Sequence, residues 1–245
     1  QMRYRAISLE NDQRRAHFAY FSTMQNPYVG LTAEVEAGAI LGACHRNGWP
    51  FSLVMVWCTG RAANAVPALR QRILNGGVVE FDRCDTSHTV LRPDGSYAYC
   101  TLDPMWPFAE FLPAAKRRQA EAIVNGGIDD GEEALGLLFL SSIPWLHYTA
   151  ITQPTPVPAD SNPRITWGKY ALRDGRLCLP VTLLVNHALA DGLTVYGVET
   201  APQLLRHLRG EERLAPAQRW EPTVEADSAP DFADVMGQEN VKRAL

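Results

Sequence analysis

Cysteine is sparse and irregularly placed in this 245-residue chain: Cys44, Cys58, Cys84, Cys100 and Cys178 are odd in number and far apart. None falls in Cys-x-x-Cys spacing, so neither a disulfide framework nor a zinc site is suggested, and the expectation is reduced thiols, a cytoplasmic protein and no metal. Long hydrophobic runs are also lacking. No apolar stretch approaches the roughly 18 to 20 residues that span a bilayer, and no signal-peptide core follows Gln1-Met2-Arg3-Tyr4-Arg5. A soluble chain with no membrane partner is therefore expected. Strong charge of one sign is missing as well: 23 Lys and Arg face 27 Asp and Glu, a net charge of -4. The basic residues are scattered, so nothing favours nucleic acid as a partner. No Gly-x-x-x-x-Gly-Lys-Ser/Thr loop is present to cradle phosphates, and there is no internal repeat.

What is there suits a folded core. Hydrophobic residues make up 46% of the chain and charged ones 20%, enough for one large domain or a domain with a tail. Asn11-Asp12 reads as the cap of a helix over 13–24, with Phe18, Phe21 and Met24 at helical spacing and Asn26-Pro27 closing it. Leu31 to Glu36 alternates like a half-buried strand, and Phe51 to Val66 reads as a buried helix ended by Pro67. Strands follow at Val78–Phe81, Thr89–Leu91 and Tyr97–Cys100, the last two joined by the turn signal Pro93-Asp94-Gly95. Phe108 to Val124 reads as an amphipathic helix, and 137–143 and 165–171 as strands separated by a loop holding Pro154, Pro156, Pro158 and Pro163. Asp174-Gly175 makes a tight turn into Leu177–Asn186, whose near-continuous apolar pattern predicts a strand covered on both faces. Residues 193–208 look helical, with Pro202 as a kink. The expected organisation is a domain over 1–210 and a flexible tail over 211–245, which is rich in Ala, Pro and Glu.

The stretch Asn186-His187-Ala188-Leu189-Ala190-Asp191-Gly192 places a histidine just past that strand. A strand end fixes the backbone, a glycine permits a tight turn, and a neutral imidazole is suited to proton abstraction. By spacing alone, a hydrogen-bonded structural histidine is the more frequent reading.

Further motifs are Arg14-Arg15-Ala16-His17-Phe18, Asn26-Pro27-Tyr28, Leu31-Thr32, Thr89-Val90, Ser141-Ser142-Ile143-Pro144-Trp145, Thr166-Trp167-Gly168-Lys169-Tyr170 and Leu179-Pro180-Val181. With the His187 stretch they occur in an order and spacing by which the chain, from about Arg3 to Arg209, resembles the chloramphenicol acetyltransferase family. The resemblance implies an α/β two-layer sandwich with a large mixed β-sheet, assembled as a homotrimer with active sites between subunits. It implies an antibiotic-resistance enzyme that moves the acetyl group of acetyl-CoA, its co-substrate, to a hydroxyl of chloramphenicol or a similar small alcohol.

Position by position, the resemblance makes His187 the general base, Ser141 the oxyanion donor, and Thr166 the holder of a water at the same oxyanion. It pairs Asp191 with Arg14 as structural support, sets Tyr170 and Lys169 along the coenzyme A channel, and lines the acceptor pocket with Tyr20, Phe21, Gln25, Thr89 and Tyr97. The family's histidine pair is here Asn186-His187, and Phe21 and Tyr99 also depart from the family's usual residues. Two alternatives stand beside this reading: a same-fold acyltransferase for an endogenous metabolite, and a catalytically silent homologue that binds a ligand or partner. The segment 231–245 resembles the opening of magnesium-chelatase-like AAA+ ATPases.

Overall fold

The computed structural model describes residues 3–10 and 12–190. In chain order these form strand β1 (Tyr4–Ile7), helix α1 (Arg15–Phe21), strand β2 (Tyr28–Glu36), and helices α2 (Gly38–Asn47) and α3 (Phe51–Asn64). After a 3-10 turn at Pro67–Arg70 come β3 (Gln71–Leu74), β4 (Gly77–Phe81), β5 (Asp85–Leu91) and β6 (Tyr97–Leu102). Helix α4 (Phe108–Asn125) and a second 3-10 turn at Gly131–Gly136 precede β7 (Leu137–Ile143), β8 (Arg164–Gly168), β9 (Ala171–Arg173) and β10 (Arg176–Asn186).

Among the described residues, a seven-stranded mixed sheet runs in the order β2-β10-β8-β7-β5-β6, with β9 pairing β10, and β1-β4-β3 form a separate antiparallel sheet. The β5–β7 and β7–β8 pairs are parallel, and the other pairs of the large sheet are antiparallel. Helices α3 and α4 pack on β5, β6 and β7, and α2 touches β10. This is the expected α/β sandwich of helices on one face of a large sheet.

The core follows from hydrophobic patterning. Leu53, Met55 and Val56 of α3 and Phe111 and Ala115 of α4 meet Leu138, Leu140, Ile165, Trp167, Leu179 and Val185 of the strands. Each fully buried aliphatic side chain there stabilises the fold by about 1.5 to 3 kcal/mol relative to exposure. At Gly60 a Cβ would lie 2.6 Å from Pro104 and 2.7 Å from Thr86, so the missing side chain lets α3 settle directly on β5.

Strand β10 lies inside the sheet, between β2 and β8, and from Cys178 onward its residues are buried or half-buried on both faces, as expected from its apolar pattern. The Asp174-Gly175 turn is present, with both residues at positive φ. Four expectations change. Helix α1 is shorter than 13–24: Arg14 N donates to Asp12 Oδ1 (2.8 Å) in a turn ahead of the helix, and Met24 lies beyond its end. The 165–171 segment is not one strand. It breaks at Lys169-Tyr170, where Lys169 N donates to Leu146 O, and Gly168 sits so tightly against Leu146, Pro180 and Tyr148 that a Cβ would clash with all three. Strand β2 is not half-buried, because it is a sheet edge whose Leu31 and Val35 remain exposed. Helix α2 and strands β1 and β3 have no counterpart in the sequence reading. No helix among the described residues is long and apolar enough to cross a membrane.

Candidate functional site

His187 follows the last residue of β10, in a turn pinned from several sides. Its N–H donates to Pro27 O (2.6 Å), and its carbonyl accepts from His17 Nε2 (2.6 Å). Asn186 closes the turn, accepting Ala188 N at its Oδ1 (3.0 Å) and both Leu189 N and Ala190 N at its backbone oxygen. The imidazole Nδ1 lies 2.8 Å from Ala190 O. A carbonyl only accepts, so Nδ1 carries a hydrogen, and it is at Nε2 that the neutral form of the ring has its lone pair. Among the described residues, the only hydrogen bond of the His187 ring is the one at Nδ1. The ring lies 4.0 Å from that of Phe21 and meets His17 edge-on at 4.8 Å.

Ser141 and Thr166 lie on the sheet face opposite the helices. They are direct cross-strand partners, and the rung continues through Thr182 to Thr32, placing four hydroxyl residues in a row across β7, β8, β10 and β2. Thr32 and Thr182 share a 2.7 Å hydrogen bond, Thr182 Oγ1 donates to Tyr148 OH (3.3 Å), and Tyr148 OH donates to Thr166 O (2.8 Å). Thr166 is only 1% exposed, and its Oγ1 has no partner among the described residues. An orphaned buried hydroxyl is costly unless a water or ligand completes it. Ser141 is partly open.

His187 stands five residues beyond Thr182 along β10, and Ser141 two strands across from it. At ~3.3 Å per residue and ~4.8 Å per strand, the two backbones are roughly 19 Å apart. Within one chain the imidazole and the Ser141 hydroxyl therefore do not meet on one reacting group.

A cavity of about 470 Å³ adjoins the histidine turn, walled by Phe18, Gln25, Pro27, Val157, Asp160 and Asn186 among others. Of the expected acceptor residues, Gln25 lines it and Phe21 packs on His187, while Tyr20 is 62% exposed beside Phe21. Thr89 and Tyr97 are remote from these. They sit on the open face of the β5–β6 hairpin, near Tyr99. Lys169 and Tyr170 occupy the exposed break between β8 and β9, with the Tyr170 ring 6.2 Å from that of Phe51.

Arg14 donates to Leu189 O (3.2 Å) within the histidine turn and pairs with Asp12 (3.4 Å). Asp191, the helix expected over 193–208, and the 211–245 tail with its 231–245 resemblance lie outside the described residues.

Sequence reasoning missed a polar post beside the turn. Asp160 binds Arg164 through both carboxylate oxygens (2.8 and 2.7 Å), exchanges hydrogen bonds with Tyr28 OH, and accepts Asn186 Nδ2 at its carbonyl (2.9 Å). Burial and the Asp160 charge push the Tyr28 phenol up to about 12, so it stays a donor at neutral pH. The contacts join residues up to 132 positions apart, and no local motif announces them.

Residues 2–198 match the family model described as chloramphenicol acetyltransferase. The chain is 26% identical over 196 residues to chloramphenicol acetyltransferase 2 of Haemophilus influenzae, covering 78% of this chain and 91% of that one. It is 27% identical over 190 residues to the chloramphenicol acetyltransferase of Streptomyces acrimycini, at 76% and 86% coverage. A solved chloramphenicol acetyltransferase superposes with a TM-score of 0.70 at 27% identity, over 85% of this chain and 99% of the other. The dihydrolipoamide acetyltransferase of Azotobacter vinelandii shares the fold, with a TM-score of 0.53 at 16% identity over 72% of this chain and 80% of that one.

Proposed function

The chain belongs to the chloramphenicol acetyltransferase family, and we propose that it transfers acetyl from acetyl-CoA to a hydroxyl of chloramphenicol or a similar small alcohol, with His187 as the base. The Nε2 of a ring locked through Nδ1, unpartnered among the described residues, carries this reading.

The acceptor O–H proton passes to His187 Nε2 as its oxygen bonds to the thioester carbon, and base assistance of this kind contributes roughly 10² to 10⁴ in rate. The carbonyl oxygen becomes an oxyanion, to which the Ser141 hydroxyl donates. The buried, unpartnered Thr166 Oγ1 suits a water that donates a second bond. Collapse of the tetrahedral intermediate breaks the C–S bond, and the imidazolium returns its proton to the departing sulfur. The products are the acetyl ester and free coenzyme A. Tyr170 and Lys169 offer an aromatic face and a cation to the adenine and phosphates. Gln25 and Phe21 border the acceptor with Tyr20 beside them, and Thr89 and Tyr97, remote from these within one chain, complete the pocket from the neighbouring chain.

The separation between His187 and Ser141 supports a homotrimer in which each site takes the histidine of one chain and the hydroxyl row of the next. Exposed Leu31 and Val35 on the edge strand offer apolar surface for such contacts. Free cysteines in all five positions support work in the reducing cytoplasm.

Thiol release from acetyl-CoA in the presence of chloramphenicol tests the reaction. Release with another small alcohol alone keeps the chemistry and changes the acceptor, whereas full activity in His187→Ala removes the mechanism. Sedimentation should give three times the 27.1 kDa chain mass. Hybrids of His187→Ala and Ser141→Ala chains should recover activity that neither variant has alone.

A further inference from the structure

We infer that Asn186 and His17 are positioning residues for the base: together they hold the turn that sets the His187 tautomer. This rests on the reading of His187 as the base.

The Nδ1–H state of His187 depends on one backbone oxygen, that of Ala190, standing 2.8 Å away. That oxygen belongs to the same five-residue turn, so the tautomer is only as well defined as the turn. Asn186 is 4% exposed, and its amide spends both ends on backbone: Nδ2 donates to Asp160 O (2.9 Å) and Oδ1 accepts Ala188 N (3.0 Å). The first bond ties the turn to a rigid post, because Asp160 is clamped by Arg164 and Tyr28, and the Arg164 guanidinium lies over the Tyr28 and Phe139 rings at 5.6 and 5.3 Å. The second starts the turn, bringing Ala190 O round to the ring.

His17 holds the other side. Its Nε2 faces the His187 carbonyl at 2.6 Å, so Nε2 is the donor and the His187 peptide plane is fixed against rotation. His17 also meets Phe21 at 4.6 Å, which places the donor and the ring covering His187 on one face of α1. Buried amides and histidines bonded only to backbone are commonly neutral to chemistry. Here every bond converges on the one peptide segment that orients a proton acceptor, where ~1 Å of misplacement can cost about 10²-fold in rate.

The test uses full-length protein with ¹⁵N-labelled histidine, the His187 ring resonances being assigned by their loss in His187→Ala. Two-bond ¹H–¹⁵N correlations should report a pure Nδ1–H tautomer in the wild type and a mixture in Asn186→Ala and His17→Phe. In acetyl transfer those two variants should lose about 10- to 100-fold in kcat at unchanged KM for acetyl-CoA, with a displaced pH profile. Asn186→His and His17→Gln, which restore a donor, should recover most of both signals. If Asn186→Ala does not fold, His17→Phe decides, since it keeps the ring packing on Phe21 and removes only the donor. Wild-type tautomer, rate and pH profile in folded His17→Phe overturn the inference. If His187→Ala is inactive at the same time, the reading of His187 as base survives that failure. Full activity in His187→Ala overturns both.

Discussion

The two faces of the seven-stranded sheet use the same strands for opposite ends. Toward the helices point Thr86, His88, Val90, Leu138, Leu140, Ile165 and Val185, all buried, in registers such as His88 with Leu140 and Leu140 with Ile165. Away from them point Thr32, Thr89, Tyr97, Ser141, Thr166 and Thr182, a row of hydroxyls and phenols that this chain leaves partly uncovered. Alternation along a strand thus separates stability from chemistry residue by residue. Each face also holds a polar group without a partner among the described residues, His88 on the covered side and Thr166 on the open side. The first is shut in among apolar neighbours, while the second lies between Ser141 and Thr182 in the hydroxyl row.

The contrast is sharpest at Ser141. Ser141→Ala should cost roughly 100- to 1000-fold in kcat, the value of one oxyanion donor, with an unchanged melting curve. One residue class away, Leu138→Ala on the covered face should do the reverse. It should lower unfolding free energy by about 2 to 5 kcal/mol in urea titration and leave kcat of the folded enzyme intact.

Acid should find the covered face through His88. Burial lowers its pKa to about 4 from an ordinary 6.5, so the unfolded chain takes up the proton first. Its contribution is fully present above about pH 6.5, falls as the pH drops, and levels off near 4, with a loss of about 3 kcal/mol at the lower end. Urea midpoints measured across this range should show that slope, and His88→Leu should flatten it. The smallest effect is expected for Thr166→Val, an isosteric change that removes the open face's orphaned hydroxyl: a fall of about 10-fold in kcat, visible in steady-state rates, at equal or slightly higher stability. A large loss of stability there would erase the division between the faces.

Much of the covered face was legible in the chain. The apolar run into Asn186 and the small, buried character of α3 are local signals, and the Asp174-Gly175 turn has its own chemistry. Edge and break were not. Leu31 and Val35 alternate as if one side were covered, but coverage depends on what lies beyond the sheet edge. The strand reading of 165–171 missed that Gly168 is pressed between Leu146 and Pro180. His187 and Ser141 were named through resemblance, whereas the hydroxyl row exists only through registers joining residues 150 positions apart, and Asp160 reaches Asn186 only across the fold.

Strand β10 is the last strand of the described chain, yet it belongs between β2, near the start, and β8. A ribosome delivers the two outer neighbours first, and they stay parted until residue 186 has emerged. Through most of synthesis the nascent chain therefore carries two open strand edges facing a missing middle, the kind of surface that recruits other chains. The strand that closes this gap also carries His187 at its end, so completion of the sheet and placement of the histidine turn are one event.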